Sequence, residues 1–212
     1  MRVVAGTAKG RKLKSPSTPG TRPVMDRVKT ALFDILAPRI RDTYFLDLFA
    51  GTGSIGIEAL SRGATAATFV EQGPEAYKCI RENLAITGFT DKSELLRSDA
   101  FAFLARAYTT SRRYDILYIA PPQYHGMAAR ALIQVDAEPP LHQGGLVIVQ
   151  IHPRERGDLA SLTLLRLRLT DERRYGSTLL MFYDVGDPLP ETTGTEDEDD
   201  KDQPAVTLRF RR

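Results

Sequence analysis

The sequence predicts an α/β fold: a mostly parallel, seven-stranded sheet wound on both faces, ending in an antiparallel hairpin and preceded by a small basic extension. Three observations predict it. Apolar strand-like runs alternate with amphipathic stretches from residue 42 to about 151. The run FLDLFAGTGSIGIEAL, Phe45 to Leu60, reads as a buried strand, a glycine turn and a helix. Two late strand-like runs, LTLLRLRLT (162–170) and YGSTLLMFYDV (175–185), are separated by a gap too short for a crossover helix, so they pair antiparallel.

Three sections follow in chain order. Residues 1–41 form a basic lead punctuated by Gly and Pro, with short strands expected at RVVAG and GRKL and an irregular loop over residues 17–23. A helix then begins at Asp26, carries apolar positions at Val28, Leu32, Ile35 and Leu36, and is stopped by Pro38. Residues 42–185 form the sheet domain, with strands expected over 43–49, 67–71, 93–98, 114–120 and 145–151 and helices at about 54–62, 74–86, 100–108 and 126–135. Residues 186–212 are acidic, nearly free of apolar side chains over 186–204, and read as a disordered tail.

Composition narrows the function classes. The chain has 212 residues, 42% hydrophobic, enough for one buried core. A single cysteine, Cys79, excludes a disulfide framework, and its place on a predicted helix favours an inert core thiol. No run approaches 18 apolar residues and the N-terminus carries no apolar leader, so a cytoplasmic protein without a membrane anchor is expected. His125, His142 and His152 show no metal-ligand spacing with Cys79 or with paired acids, and no metal is expected. No exposed heptad or apolar arm argues for an oligomer, so a monomer is expected. The net charge of +2 hides an asymmetry: residues 1–41 hold ten Lys and Arg against two acids, and residues 186–212 hold eight acids against four bases. A basic end suits a polyanion such as nucleic acid, and also reads as an ordinary solvated face.

The glycine turn, with Gly51, Gly53 and Gly56, marks a nucleotide-like ligand, because glycine permits the sharp turn and the close backbone approach. GTGSIG fits a dinucleotide fingerprint, and Glu71, 20 residues after Gly51, falls where an acid binds a ribose, so an NAD-type reductase is one reading. Asp47 points elsewhere: a carboxylate just ahead of the turn repels a pyrophosphate and suits a cationic amino-acid group. S-adenosylmethionine has an α-ammonium, a ribose diol and no phosphate. Asp99 at the tip of the third strand can accept from an adenine amino group or simply cap the next helix. Pro121 and Pro122 at the tip of the fourth strand make a rigid rim or a plain strand terminator. All of these fall at C-terminal ends of predicted parallel strands, where open α/β sheets bind ligands.

The order DLFAGTG, VE, SDA, xPP and a terminal hairpin resembles the class I S-adenosylmethionine-dependent methyltransferases (Rossmann-like). The openings RVVAGTAKGRKLKSP and GTRPVMDRVKTALFDIL, and the ending YGSTLLMFY, are similar to the RsmD-type enzymes, which methylate a guanine N2 in bacterial 16S ribosomal RNA. The likeness covers about residues 1–185. It implies that Asp47, Phe49, Gly51, Thr52 and Gly53 pack around the methionine and ribose of the cofactor, that Glu71 takes the ribose hydroxyls, and that Asp99 and Ala100 hold the adenine. It also places Arg22 and Pro23 near cofactor and target, and Pro121, Pro122 and Tyr124 along the methyl-transfer site. Lys9, Arg11, Lys12, Lys14 and Arg27 are then the candidate RNA contacts, and 16S rRNA or the 30S subunit the expected partner.

One departure from the family pattern concerns catalysis. Where the family has Asp or Asn before Pro-Pro and an aromatic residue directly after, this chain has Ala120, then Gln123 and Tyr124. A backbone carbonyl of Ala120 or Pro121, or the Gln123 side chain, is the expected substitute acceptor. The alternatives are a catalytically degenerate RNA-binding protein and an amino-directed DNA methyltransferase.

Overall fold

The computed structural model describes residues 1–15, 26–107 and 113–187. The main elements are α1 (Asp26–Leu36), β1 (Tyr44–Asp47), α2 (Ser54–Ser61), β2 (Ala66–Val70), α3 (Pro74–Thr87), β3 (Ser93–Leu96), α4 (Ala100–Ala107), β4 (Tyr114–Ile119), α5 (Met127–Ala137), β5 (Leu141–Ile151), α6 (Arg156–Ala160), β6 (Leu167–Tyr175) and β7 (Thr178–Val185). They form one seven-stranded sheet of order β3-β2-β1-β4-β5-β7-β6. The first five strands in that order run parallel, and β7 runs antiparallel to both β5 and β6. The expected α/β class and terminal hairpin are therefore present.

The central strands are buried on both faces, which is why β4 reads YDILYI without polar alternation. One face packs α1, α2, α3 and the lead around Phe45, Phe69, Ile116 and Tyr118. The other packs α4, α5 and α6 around Leu46, Leu117, Val147 and Met181. The chain leaves β1 outward towards β2 and β3, then returns to β4 on the other side of β1. The strand order thus reverses between β1 and β4, and the carboxyl ends of those strands flank a crevice.

The hairpin strands differ in extent from the sequence reading. β6 starts at Leu167, because both carboxylate oxygens of buried Asp136 accept the amide hydrogens of Leu165, Arg166 and Leu167 at 2.8 Å and hold that segment as a loop. The strand continues through the charged run Asp171–Arg174, whose side chains stand on the edge of the sheet, where charge discourages pairing with other chains. A two-residue turn, Gly176–Ser177, closes it, with Gly176 at φ 61°.

The expected pair of N-terminal strands is reduced to one antiparallel bridge, Arg2 to Lys12. Residues 1–15 are instead fastened to the domain. The amide hydrogens of Val4 and Ala5 are accepted by the two oxygens of Glu58 at 2.8 and 2.9 Å. Gly6 lies so close to α2 that a Cβ would sit 1.8 Å from the Ser61 carbonyl oxygen, and its φ is 80°. Lys14 both donates to and accepts from the carboxamide of Asn83, which also donates to the Thr52 carbonyl at 3.0 Å. Lys14 of the lead therefore lies beside the glycine turn. Arg22, Pro23 and the tail from residue 188 lie outside the described residues.

Candidate active site

The turn after β1 is shaped by its glycines. Gly51 and Gly53 have φ of 54° and 74°, conformations that glycine adopts without strain. A Cβ built on Gly51 would meet nothing within 4 Å, so the turn is an open cradle on that side. Gly56 serves packing: a Cβ there would lie 2.3 Å from the Phe69 ring, so its absence lets α2 rest directly on β2. Phe49 stacks edge-on against Phe101 of α4, with centroids 6.1 Å apart, and closes the other side of the β1 tip.

Three carboxylates stand at the strand tips. Asp47, 2% exposed, accepts the Gly56 amide hydrogen at 3.1 Å within the first turn of α2. Burial pushes its carboxyl up to about 7, against the pull of that hydrogen bond. Glu71 is half-buried and accepts from Gly51 N–H at 2.8 Å and Gly73 N–H at 2.7 Å. It thus ties the cradle to the end of β2, and a carboxylate with about four lone-pair sites retains capacity for a diol. Asp99 is exposed and accepts from Ala102 N–H at 2.9 Å, capping α4 beside buried Ala100.

The tip of β4 carries Ala120, half-buried, then buried Pro121 and exposed Pro122, Gln123 and Tyr124. Tyr124 has φ 65°, a left-handed conformation that is strained for an aromatic residue, and the residue is 58% exposed. Buried Glu155 holds it there: one oxygen accepts Tyr124 N–H at 2.9 Å and the other His152 N–H at 3.2 Å. The Tyr124 and His152 rings lie 5.4 Å apart. Below them the Tyr118 hydroxyl donates to Gln150 Oε1 at 2.6 Å. Burial, and secondarily the Asp47 carboxylate, keeps that phenol well above its usual pKa, so it remains a donor.

The structure therefore gathers Asp47, Phe49, Gly51, Thr52, Gly53, Glu71, Asp99, Ala100 and the segment 120–124 along the carboxyl ends of β1 to β4. Lys9, Arg11, Lys12, Lys14 and Arg27 are all exposed on the lead and the start of α1. Arg11 donates to the Ile86 carbonyl at 3.3 Å and Lys14 pairs with Glu82 at 2.8 Å. Cys79 is buried and donates to the Lys14 carbonyl at 3.2 Å, and burial raises its thiol pKa. Sequence reasoning missed Gln150, His152 and Glu155 at the end of β5. The signal was present in HPRE, where a proline one position and a glutamate three positions after His152 mark a helix start; the capping box is formed. A groove of about 390 Å³ opens at the opposite edge of the sheet, between Tyr44, Thr68 and Ser93, and holds none of these groups.

Comparison with known proteins agrees with this architecture. The family described as "Conserved hypothetical protein 95" matches residues 1–184. The Ribosomal RNA small subunit methyltransferase D of Escherichia coli (strain K12) is 36% identical over 150 residues, covering 71% of this chain and 74% of that protein. YlbH of Bacillus subtilis (strain 168), provisionally named an rRNA methyltransferase, is 33% identical over 183 residues, 86% of this chain and 98% of that one. The solved structure of Escherichia coli yhhF, provisionally called a methyltransferase, superposes with a TM-score of 0.74 at 30% identity, covering 88% and 98% of the two chains. Among the described residues no helix is long and apolar enough to cross a membrane.

Proposed function

The chain belongs to the RsmD-type family of ribosomal RNA methyltransferases, and we propose that it transfers a methyl group from S-adenosylmethionine to the exocyclic N2 of a guanine in 16S rRNA. The proposed substrate is the assembled or assembling 30S subunit, and the proposed compartment is the cytoplasm, where subunits are made. A monomer without a metal suffices for this chemistry.

The observation that carries the reading is the cradle with its carboxylates. The buried Asp47 carboxyl, poised near neutrality, fits a ligand ammonium, whose charge would hold it ionised. Glu71 fits a vicinal diol, and Asp99 with Ala100 fits an adenine edge. The buried Asp47 carboxylate just ahead of the turn would repel a pyrophosphate, which separates this site from a dinucleotide site. S-adenosylmethionine, when bound, supplies a methyl group on a sulfonium. The chain's part is then to orient the amine, exclude water and accept its hydrogen bond. The lead, fixed beside the turn, presents Lys9, Arg11, Lys12 and Lys14 to phosphates, and Arg27 at the start of α1 belongs to the same proposed surface. The target base must be unstacked to reach the site, and Tyr124 offers it an exposed ring. In domain terms, residues 1–41 act as the RNA-binding extension and 42–185 as the catalytic domain.

Ala120 alone favours a second reading, a degenerate fold that binds RNA without catalysis. Incubating the purified protein and cofactor with unmodified 30S subunits, naked 16S RNA and DNA, then mapping products by mass, separates the readings. One N2-methylguanine in 16S rRNA is expected. Tight cofactor binding with no transfer to any substrate would establish the degenerate reading, and methyl-adenine in DNA would overturn the rRNA assignment.

A further inference from the structure

An exocyclic guanine amine is a weak nucleophile because its lone pair is shared with the ring. As the N2–methyl bond forms, the C–S bond breaks with its electron pair left on sulfur, and N2 becomes cationic until one proton passes to solvent water. An acceptor aimed at the N2–H stabilises that charge as it develops. The tip of β4 offers no side-chain acceptor at position 120, which is alanine.

The neighbouring strand does. β4 and β5 pair in register through Ile119 and Val149, so the next positions, Ala120 and Gln150, stand side by side. Strand alternation puts Gln150 on the face that carries Tyr118, and Tyr118 pairs with Asp47 of β1 on that same face. Gln150 is half-buried within β5, itself paired to β7 at Leu180, and so is rigidly placed. The buried Tyr118 hydroxyl donates to Gln150 Oε1 at 2.6 Å and so tethers the carboxamide. That oxygen keeps a second lone pair, and no described residue partners Nε2. The carboxylates at the rim have other roles: Asp47, Glu71 and Asp99 are given to the cofactor by the reading above, and Glu155 holds Tyr124 and His152, while the Gln123 side chain stands exposed beyond the strand tip.

We infer that Gln150 is the side chain that reads and activates the target amine: its Oε1 accepts from the guanine N2–H and its Nε2 donates to N3 of the same base, beside Ala120. This assignment rests on the guanine-N2 reading above. On its minor-groove edge guanine presents the N2 amino donor beside the N3 acceptor, so one carboxamide supplies both contacts to that edge and the charge stabilisation.

Single-turnover methylation of 30S subunits, run beside calorimetric cofactor binding, tests it. Gln150→Leu is expected to lower the rate at least 100-fold with cofactor affinity unchanged within twofold. Gln150→Glu, which keeps an acceptor, stays within about tenfold of wild type. Adding Ala120→Asp to Gln150→Leu recovers tenfold or more, which a merely structural role would not produce. Tyr118→Phe unpins the carboxamide and lowers the rate several-fold, and it keeps the inference testable should Gln150→Leu not fold. An active wild type with an equally active Gln150→Leu, or with Gln150→Leu and Tyr118→Phe that lose rate only in step with cofactor affinity, overturns this inference alone. A wild-type protein that makes no N2-methylguanine overturns the proposed function and this inference with it.

Discussion

Lys29 and Glu58 form an ion pair, Nζ to Oε2 at 3.3 Å, with both side chains wholly excluded from water. Glu58 also accepts from Val4 N–H, Ala5 N–H and Arg62 Nε, while Lys29 donates to the Arg2 carbonyl. Every group in this knot is therefore satisfied, and α1, α2 and the lead are joined at one point. Glu58→Ala would strand a buried ammonium and two amide hydrogens. A buried pair broken on one side costs about 3–5 kcal/mol. Urea unfolding should show a loss of that size, and limited trypsin digestion of the folded variant should cut the lead at Lys9–Lys14 sooner than in wild type. A loss below about 1 kcal/mol would show that the knot does not hold the lead.

Asp47 links cofactor binding to pH. Its folded carboxyl titrates at about 7 against an ordinary 3.8, so between those values the folded state holds a proton that the unfolded state has released. Stability of the free protein should fall as pH rises through that window, by an amount on the order of 4 kcal/mol. Asp47→Asn keeps an acceptor for Gly56 N–H and removes this cost. Thermal melts should place the variant above wild type at pH 8 and level with it near pH 4. Calorimetry should show S-adenosylmethionine binding weakened tenfold or more in the variant, and weakening in wild type as pH drops from 7 to 6. A variant that melts lower at pH 8 would mean that Asp47 is stabilised as an anion already in the free protein.

The contrast between Lys29 and Asp47 explains what the sequence made legible. Asp47 was readable because a strand end and a glycine turn are local patterns, only a few residues apart. So was the sheet, whose doubly buried strands are continuous apolar runs. Lys29 instead counted among the basic residues of the lead and Glu58 carried no expectation, since nothing local pairs residues on different helices. Each nonetheless interrupts an apolar face: Lys29 falls in the stripe with Leu32, Phe33 and Leu36, and Glu58 sits in SIGIEALS, every residue of which is buried. The β6 start was misplaced for the same reason, as Asp136 fixes it from 29 residues away. Gln150 escaped notice because its importance depends on the register of β4 against β5, which no single strand encodes.

Tyr124 trades stability for presentation. Its left-handed backbone is held by Glu155, and a residue in that region carries a strain of about 1–3 kcal/mol that glycine does not. Tyr124→Gly should therefore raise the melting temperature by a few degrees while lowering the methylation rate, because the base loses its stacking surface. Tyr124→Phe should keep both values near wild type. A glycine variant that melts lower than wild type would show that the ring's packing on His152 outweighs the relief of backbone strain.

The lead's basic residues are not equivalent. Lys14 is engaged by Glu82 at 2.8 Å and Arg11 by the Ile86 carbonyl, whereas no described carboxylate meets Lys9 or Lys12. Among the described residues a phosphate competes with Glu82 for Lys14 and with no carboxylate for Lys9 and Lys12. Each lysine that neutralises a phosphate contributes about one unit to the slope of log affinity against log salt. Lys9→Ala with Lys12→Ala should thus weaken 30S binding in filter assays and flatten that slope by about 1–2, with cofactor affinity unchanged. Lys14→Ala should do less, and Glu82→Gln should tighten RNA binding by freeing Lys14. An unchanged salt slope in the Lys9, Lys12 double variant would move the RNA contact off the lead.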